Sequence, residues 1–408
     1  MSQKIKIKSL KAKEILDSRK NSTVEVNLST DSFFIQASVP SGASRGKYEA
    51  VAKAAKIAVK NVNEIIAPKF IGKDPIKQKE IDKFLIKIDG TKNKSRLGAN
   101  AVLGLSIAVC RAGAKAKNLP LYQYIARIAE NRALGKLPLP CFNVINGGAH
   151  AKKGLDIQEF MVIPQFKYFS ENLKAGIRIY RNLKKILRKS FKKIPIGDEG
   201  GFVPPLKKTE EVLDLLMKAI KLSGYSGKIK IGLDCAATQF FKNKKYKLEG
   251  KNLSKQELFN FYQNLIKKYP ILFLEDPFSE EDWRGWQQLK SKPQNQKSKI
   301  SIIGDDLLVT NYKRMKLAKR KNVCNGAVIK PNQIGTITET IEAVKLAKSF
   351  GWKIMVSHRS GETLDNFIAD LAAGIGAEFI KSGAPFAKER MVKYNRLLRI
   401  EEEIRSGI

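Results

Sequence analysis

Charged side chains recur at the ends of short apolar runs in the second half of the chain. Each run precedes a stretch with helical spacing, and the residues that end the runs are Asp234, Glu275, Asp305, Lys330, His358 and Lys381. The gaps between them are 41, 30, 25, 28 and 23 residues. This period is typical of repeated strand–helix units, which form a parallel sheet.

Two further segments extend the series, DIQEFMVIP with Glu159 and PIGDEGG with Glu199. They bring the number of units to about eight, which predicts an α/β fold with a closed β/α barrel. The active site of such a barrel lies at the carboxyl ends of the strands, so the end residues should meet in one mouth. The side chains expected there are Glu159, Glu199, Asp234, Glu275, Asp305, Lys330, His358, Arg359 and Lys381.

Five carboxylates in one buried mouth are costly unless cations share the space. Oxygen ligands without a cluster of Cys or His favour Mg²⁺ over Zn²⁺. A set of structural ion pairs is the alternative, and it is the usual explanation of a single acidic strand end. Three acidic ends in succession, followed by lysines and a His-Arg pair, favour a metal-dependent active site instead. The chain has only two histidines, His150 and His358, and their placement favours a functional role.

A smaller N-terminal domain is predicted ahead of the barrel. Residues 4–10, 23–28 and 33–39 have strand-like spacing and are separated by polar turns, which predicts a three-stranded antiparallel sheet. Helical patterns follow to about residue 132, and a Pro-punctuated segment at 137–141 then marks a boundary. We therefore expect an N-terminal α+β domain at 1–130 and a C-terminal β/α-barrel domain at 131–408.

Composition limits the class of protein. The formal net charge is +37, which is compatible with nucleic-acid binding, with steering of an anionic substrate, or with a lysine-rich surface. The last is favoured, because the basic residues are spread along the chain and no nucleic-acid-binding motif is present. The four cysteines form no CxxC pair and are expected to be reduced. The longest uncharged run, 97–110, is too short to span a bilayer, and no signal peptide is evident. We expect a soluble, cytoplasmic protein.

Eight motifs together resemble those of the enolase family and occur in that family's order. They are INGGAHA (145–151), QEFM (158–161), GDEGG (197–201), LDCAA (233–237), EDP (275–277), GDDL (304–307), IKPNQIGT (329–336) and SHRSGET (357–363). In the first domain TVEV (23–26) and PSGAS (40–44) extend the match. The resemblance covers nearly the whole chain, and the ordered set is specific although each motif alone is weak.

The resemblance implies reversible, Mg²⁺-dependent dehydration of 2-phosphoglycerate to phosphoenolpyruvate. It implies Lys330 as the general base and Glu199 as the general acid, with Glu159 beside it. The implied metal ligands are Asp234, Glu275 and Asp305, with Ser44 for a second Mg²⁺. The implied substrate contacts are Gln158, His150, His358, Arg359, Ser360 and Lys381. Residues 40–50 would form a lid over the substrate, and the resemblance also implies a homodimer.

Two expectations concern protonation in such a site. Lys330 must be neutral to accept a proton, and nearby Mg²⁺ and Lys381 are expected to lower its pKa. Glu159 and Glu199 are expected to hold one proton between them, because two close carboxylates resist joint ionisation.

Four departures from the family's pattern are visible. Arg45 stands where the family usually has Thr, Lys20 and Ser22 replace Gly and Pro, and Ser382 replaces Thr. The stretch after Ala50 is shortened. Together with the basic charge, these motivate an alternative, a binding protein for RNA or a surface partner built on this scaffold with reduced activity. Another superfamily enzyme, such as a racemase or cycloisomerase, is disfavoured by the GDEGG and SHRSGE stretches.

Overall fold

The computed structural model describes residues 5–42, 46–131, 135–151, 154–291 and 300–407. The chain begins with an antiparallel sheet in the order β1 (Ser9–Leu16), β2 (Ser22–Ser29), β3 (Phe34–Ser38). The predicted sheet is confirmed, but its first strand lies at 9–16, so residues 5–8 of the predicted strand are outside it. The Lys-apolar alternation runs on past residue 10, so it could not locate the strand, and pairing places Leu10 opposite Leu28 and Ala12 opposite Val26.

The turn between β1 and β2 carries one of the departures. Asp17 Oδ1 accepts hydrogen bonds from the backbone N–H of Arg19 and of Asn21 at 2.8 and 2.9 Å, which closes the turn tightly. Lys20 within it has a φ of 63°, in the left-handed region that favours glycine. The substitution of glycine by Lys20 therefore stores backbone strain in this turn.

We expect Lys20→Gly to raise the free energy of unfolding by about 1 kcal/mol, the lower end of the usual cost of a left-handed residue with a Cβ. Urea denaturation followed by circular dichroism measures it. Lys11→Gly is the matched control, because Lys11 is an exposed lysine in the middle of β1, where glycine should lower the free energy of unfolding by roughly 0.5–1 kcal/mol. Changes of the same sign in both variants would contradict the strain.

Helices complete the first domain. They are α1 (Ala55–Lys60), a π-helical turn (Asn61–Ile66), α2 (Ala67–Phe70), α3 (Gln78–Asp89), α4 (Ala99–Ala116) and α5 (Leu121–Ile128). The uncharged run at 97–110 lies in α4, which is buried along most of its length. A Cβ on Gly104 would come within 2.6 Å of Val26 Cγ2, so glycine lets α4 approach the sheet closely.

The second domain is a closed eight-stranded barrel with helices around it. Its strands are β4 (Leu139–Asn146), β5 (Glu159–Pro164), β6 (Ile229–Asp234), β10 (Ile271–Glu275), β11 (Ser301–Gly304), β12 (Gly326–Ile329), β13 (Lys353–Ser357) and β14 (Phe379–Lys381). A small sheet after β6 holds β7 (Phe241–Lys242), β8 (Lys245–Leu248) and β9 (Lys251–Leu253). Eight strands with an enclosing layer of helices confirm the predicted fold class.

Two details of the predicted barrel are wrong. Strand β5 runs antiparallel to both of its neighbours, β4 and β6, so the sheet is not entirely parallel. The segment of Glu199 is not a barrel strand, and the place in the ring is taken by β4, which begins inside the Pro-punctuated segment at 137–141 and runs beyond it. The division of the chain near residue 130 stays a prediction.

The helices of the second domain are α6 (Phe169–Ser190), α7 (Thr209–Leu222), α8 (Lys255–Lys268), α9 (Trp283–Ser291), α10 (Tyr312–Lys321), α11 (Pro331–Ile334), α12 (Ile337–Ser349), α13 (Phe367–Gly374) and α14 (Lys388–Arg405). Helix α6 is amphipathic, because Leu183 and Leu187 are buried while Arg181, Lys185 and Arg188 are exposed. None of the helices described is both long and apolar enough to cross a membrane.

A layer of apolar side chains fills the barrel interior. Its members are Cys141, Met161, Ile163, Phe273, Ile303, Val328, Met355 and Phe379. On β6 the interior position is Gly232, where a Cβ would lie 2.3 Å from Phe273 Cζ, so the ring occupies the space that a side chain would need. All four cysteines are buried and free of disulfides, as predicted.

Candidate active site

The polar mouth of the barrel follows from strand alternation. Side chains on one face of a strand recur at every second residue. Two positions from the interior layer, toward the mouth, every one of the eight strands carries a polar residue. These residues are Asn143, Glu159, Asp234, Glu275, Asp305, Lys330, Ser357 and Lys381. Because β5 is antiparallel, Glu159 reaches the mouth as the first residue of its strand.

Three carboxylates lie side by side on neighbouring strands. Asp234 is paired in register with Glu159 on one side and with Glu275 on the other, and all three are buried. Lys381 Nζ lies 2.7 and 2.9 Å from the two Glu275 oxygens, 3.2 Å from Asp234 Oδ2 and 3.3 Å from Glu159 Oε1. One buried ammonium group therefore serves three carboxylates.

Asp305 completes the acidic part of the mouth. Lys330 Nζ forms an ion pair with Asp305 Oδ2, and Gln333 Nε2 donates to Asp305 Oδ1 at 3.0 Å. Asp276, Asp305 and Asp306 bring carboxylate oxygens within 4.8 Å of one another, close enough to hold a metal ion. Asp276 and Asp306 were not singled out from the sequence, although both stand inside the EDP and GDDL motifs.

A second group of ligand atoms lies on the opposite side of the mouth. His150 Nε2 is 3.4 Å from Glu199 Oε1 and 3.8 Å from Glu159 Oε1, and His358 Nε2 is 3.3 Å from Glu199 Oε1. Asn143 Nδ2 donates to Glu199 Oε2 at 2.8 Å. Sequence reasoning missed Asn143, because β4 was not recognised as a strand; its alternation with Cys141 was the available signal.

Lys330 and Glu159 face each other across the barrel. In the closed ring β10-β11-β12-β13-β14-β4-β5-β6, strands β12 and β5 are four positions apart in either direction. Lys330 and Glu159 thus stand on opposite sides of the mouth. The carboxylates of the intervening strands β6, β10 and β11 lie between them on one side; these are Asp234, Glu275 and Asp305. A molecule bound in the mouth would present one face to Lys330 and the other to Glu159 and Glu199.

Arg359 and Ser360 line the same cavity just beyond β13. The Arg359 guanidinium lies 3.2 Å from Glu49 Oε2 and donates to Asn332 Oδ1 at 3.1 Å. Glu49 was not predicted, and no spacing in the sequence points to it, since it comes from the first domain. The two domains also meet at Gly361, which exchanges backbone hydrogen bonds with Ser41 at 2.7 and 2.9 Å.

Gln158 reaches the carboxylate row from the loop before β5. Its Nε2 donates to Asp234 Oδ2 at 3.1 Å, and its Oε1 accepts from Gln239 Nε2 at 2.5 Å. Gln239 Oε1 in turn accepts from the backbone N–H of Ala149 at 3.0 Å. Gln239, another residue that the sequence did not single out, therefore joins Gln158 to the loop of His150.

The structure brings together every predicted site residue that it describes. Glu275 is the deepest, with no exposed surface, while the others border the cavity. Ser44, the expected ligand of a second metal, and Arg45, the departure in the lid, lie outside the described residues. The described flanks of the lid segment contact the barrel mouth through Ser41 and Glu49.

Comparison with known proteins agrees with this geometry. Residues 7–125 match the family described as "Enolase, N-terminal domain" and residues 135–408 match "Enolase, C-terminal TIM barrel domain". The enolase of Mastigamoeba balamuthi is 48% identical, and that of Solanum lycopersicum is 47% identical. Each alignment covers 98% of this chain and 96% of the relative. The chain belongs to the enolase family. The expectations of an enolase fold and of a lyase are thereby confirmed.

The pKa values of the two neighbouring carboxylates of this enolase, Glu159 and Glu199, are shifted in opposite directions. Burial and the charge of Glu199 raise the pKa of Glu159 well above its usual value. Burial also opposes ionisation of Glu199, but His358 and His150 outweigh it and hold the pKa of Glu199 well below its usual value. A proton shared by the pair therefore favours Glu159 over Glu199, although the sequence pointed to Glu199 as the donor.

The pKa of Lys330 was expected to be lowered, but the side chains of the enolase raise it. Burial lowers that pKa, but the adjacent Asp305 outweighs burial and raises it. The expectation relied on a metal ion and on Lys381, whereas the charge paired with the Lys330 ammonium is the Asp305 carboxylate. Lys330 is therefore protonated while it is paired with Asp305.

The acidic group of the enolase mouth can hold a metal ion. Burial and the neighbouring Asp234 raise the pKa of Glu275 well above its usual value, despite Lys381. The pKa of Asp306 is raised to about 7 by burial and by Asp305. Carboxylates that resist ionisation in this way show that the protein's own cations do not balance the site. The oxygen-only donor set of Asp234, Glu275 and Asp305 fits a hard divalent cation.

Proposed function

We propose that this enolase interconverts 2-phospho-D-glycerate and phosphoenolpyruvate with Mg²⁺, in the cytoplasm and as a homodimer. The observation that carries the proposal is the placement of Lys330 opposite the Glu159–Glu199 pair, across a mouth lined by carboxylates. Dehydration needs a base on one carbon and a proton donor on the next. The diameter of the barrel separates these two roles in the required way.

Asp234, Glu275 and Asp305 would hold the Mg²⁺. When bound, the ion balances these carboxylates and stabilises the negative charge that develops beside the substrate carboxylate. Mg²⁺ is favoured because the donors are all carboxylate oxygens.

Lys330 is the general base of the proposed reaction. It removes the proton from C2 of 2-phosphoglycerate, and the C–H electron pair stays beside the substrate carboxylate. That pair then forms the double bond to C3 as the C3 hydroxyl leaves. The side chain must be neutral for this step, so its ion pair with Asp305 has to weaken first. Occupation of Asp305 by a cation would remove the influence that raises the Lys330 pKa.

The Glu159–Glu199 pair supplies the proton that turns the leaving hydroxide into water. Its single proton is stored on Glu159, while Glu199 stays ionised beside the two histidines. In the reverse direction the pair accepts a proton from water as the hydroxide adds to C3. The pair acts as a unit, and its apparent pKa values belong to both residues.

Arg359 and Ser360 are proposed to bind the substrate phosphate. A planar guanidinium can donate two parallel hydrogen bonds to a phosphate, and the serine adds a hydroxyl. Glu49 lies where its carboxylate contacts the same guanidinium, with side chains of both residues less than 10% exposed. The phosphate would therefore compete with Glu49 for Arg359. His150, Gln158, His358 and Lys381 border the rest of the substrate.

The direct test is to follow the ultraviolet absorbance of the enol product formed from 2-phosphoglycerate. We expect turnover with Mg²⁺, its loss when a chelator is in excess, and its return when Mg²⁺ is restored. Circular dichroism in each condition shows whether the fold persists without the metal. Absence of turnover in folded protein with Mg²⁺ present would overturn the proposal. Sedimentation velocity measures the proposed dimer independently.

A further inference from the structure

We propose that Arg390 is a positioning residue that holds His358 in the tautomer with its proton on Nε2. Arg390 lies in the first turn of α14 and is completely buried. Its Nη1 is 2.6 Å from His358 Nδ1 and 2.7 Å from the carbonyl oxygen of Arg359. Its Nη2 donates to the carbonyl oxygens of Asp198 at 2.8 Å and Ser360 at 2.7 Å. None of the sequence motifs includes this residue.

The assignment of the tautomer follows from hydrogen-bond chemistry. A guanidinium group has only donors, and it stays protonated in proteins. His358 Nδ1 must therefore accept the hydrogen bond from Arg390, and an accepting ring nitrogen carries no proton. A neutral imidazole then has its proton on Nε2. That nitrogen lies 3.3 Å from Glu199 Oε1 at the edge of the cavity.

Electrostatics keep His358 neutral around pH 7. Burial lowers its pKa, the carboxylate of Glu199 opposes burial, and the charge of Arg390 acts together with burial. The charge of Glu362 also raises this pKa. The balance is a His358 pKa of about 4. The imidazole is therefore neutral, with its protonated Nε2 3.3 Å from Glu199 Oε1, and it is not an acid–base group around pH 7.

This inference rests on the proposed function and deepens it. A donor on His358 stabilises the ionised form of Glu199, so the single proton of the carboxylate pair stays on Glu159. Without Arg390, the other tautomer would present a bare nitrogen to the Glu199 carboxylate. Arg390 also fixes the backbone of Arg359 and Ser360, the residues proposed to bind phosphate. Arg390 thus determines which carboxylate of the pair holds the proton, and it also fixes the position of the turn proposed to bind phosphate.

The experiment uses the fact that the chain has only two histidines. In protein labelled with ¹⁵N-histidine, correlations from the ring nitrogens to the carbon-bound ring protons distinguish the two tautomers. The His150→Gln variant assigns the spectrum. We expect His358 at pH 7 to show a protonated Nε2 and an unprotonated Nδ1. A protonated Nδ1 in the parent protein would overturn the proposal, whether or not the enzyme turns over substrate.

Two variants test whether Arg390 is the cause. Arg390→Met removes the donors and the charge at similar length, and it should mix the tautomers and raise the His358 pKa toward its ordinary value. Arg390→Lys keeps the charge and one donor nitrogen, and it should preserve the tautomer. In kcat we expect Arg390→Met to lose roughly 10- to 100-fold, the size found for partners that orient metal-ligating histidines, and Arg390→Lys to lose less. An unchanged His358 spectrum in folded Arg390→Met would overturn the proposal; if that variant does not fold, the parent spectrum decides.

Discussion

Lys330→Met is expected to lower kcat by about 10⁴-fold, the upper end of what a positioned acid or base contributes. Among the described barrel strand ends at the mouth, Lys330 is the only cation on β12 or on the two strands next to it, β11 and β13. Methionine keeps the length of the side chain but cannot take the C2 proton. The Glu159–Glu199 pair cannot substitute for it, because it stands on the opposite side of the mouth.

Exchange of the C2 hydrogen of 2-phosphoglycerate with deuterated solvent is the most specific measurement of this role. The parent should exchange that hydrogen, and Lys330→Met should not, even over long incubation. Lys313→Met is the matched control, because Lys313 is exposed at the start of α10 and should leave both exchange and turnover unchanged. Normal exchange in Lys330→Met would transfer the role of base to another group.

Glu275→Gln is expected to weaken Mg²⁺ binding by more than about 100-fold, beyond the usual cost of losing an outer partner of a metal site. Glu275 is the deepest of the three proposed ligands, and both of its oxygens contact Lys381. Glutamine retains the shape but presents one weaker oxygen donor and removes a negative charge. Turnover should fall in parallel at fixed Mg²⁺.

Titration calorimetry with MgCl₂ measures this prediction without reference to turnover. Glu280→Gln is a suitable control, because that carboxylate lies only five residues further along the chain but does not border the cavity. We expect its Mg²⁺ affinity to match that of the parent. Equal affinities in all three proteins would show that Glu275 is not a ligand. We expect Glu275→Gln to fold, since Lys381 keeps Asp234 and Glu159 as partners.

Much of the candidate site could be predicted because its signals are local. A strand that ends in a functional residue shows an apolar run and then a charge, as before Asp234, Glu275 and Asp305. These runs must be apolar because they form the barrel wall, and their ends must be polar because they line its mouth. The ordered motifs added the residues of the loops, including His150 and Arg359.

Other features were decided only by the tertiary structure. The antiparallel course of β5 and the strand role of β4 depend on pairing between segments, and a local pattern does not state which segments pair. Glu49, Asn143 and Gln239 contact the site through partners that lie far from them along the chain.

The protonation states of the site residues were also decided only by the tertiary structure. The proton on Glu159, the protonated Lys330 and the neutral His358 all result from burial and from charges within a few ångströms. The residue types set which groups can titrate, and they are read directly from the chain. The pKa values depend on distances between strand ends, and only folding of the barrel sets those distances.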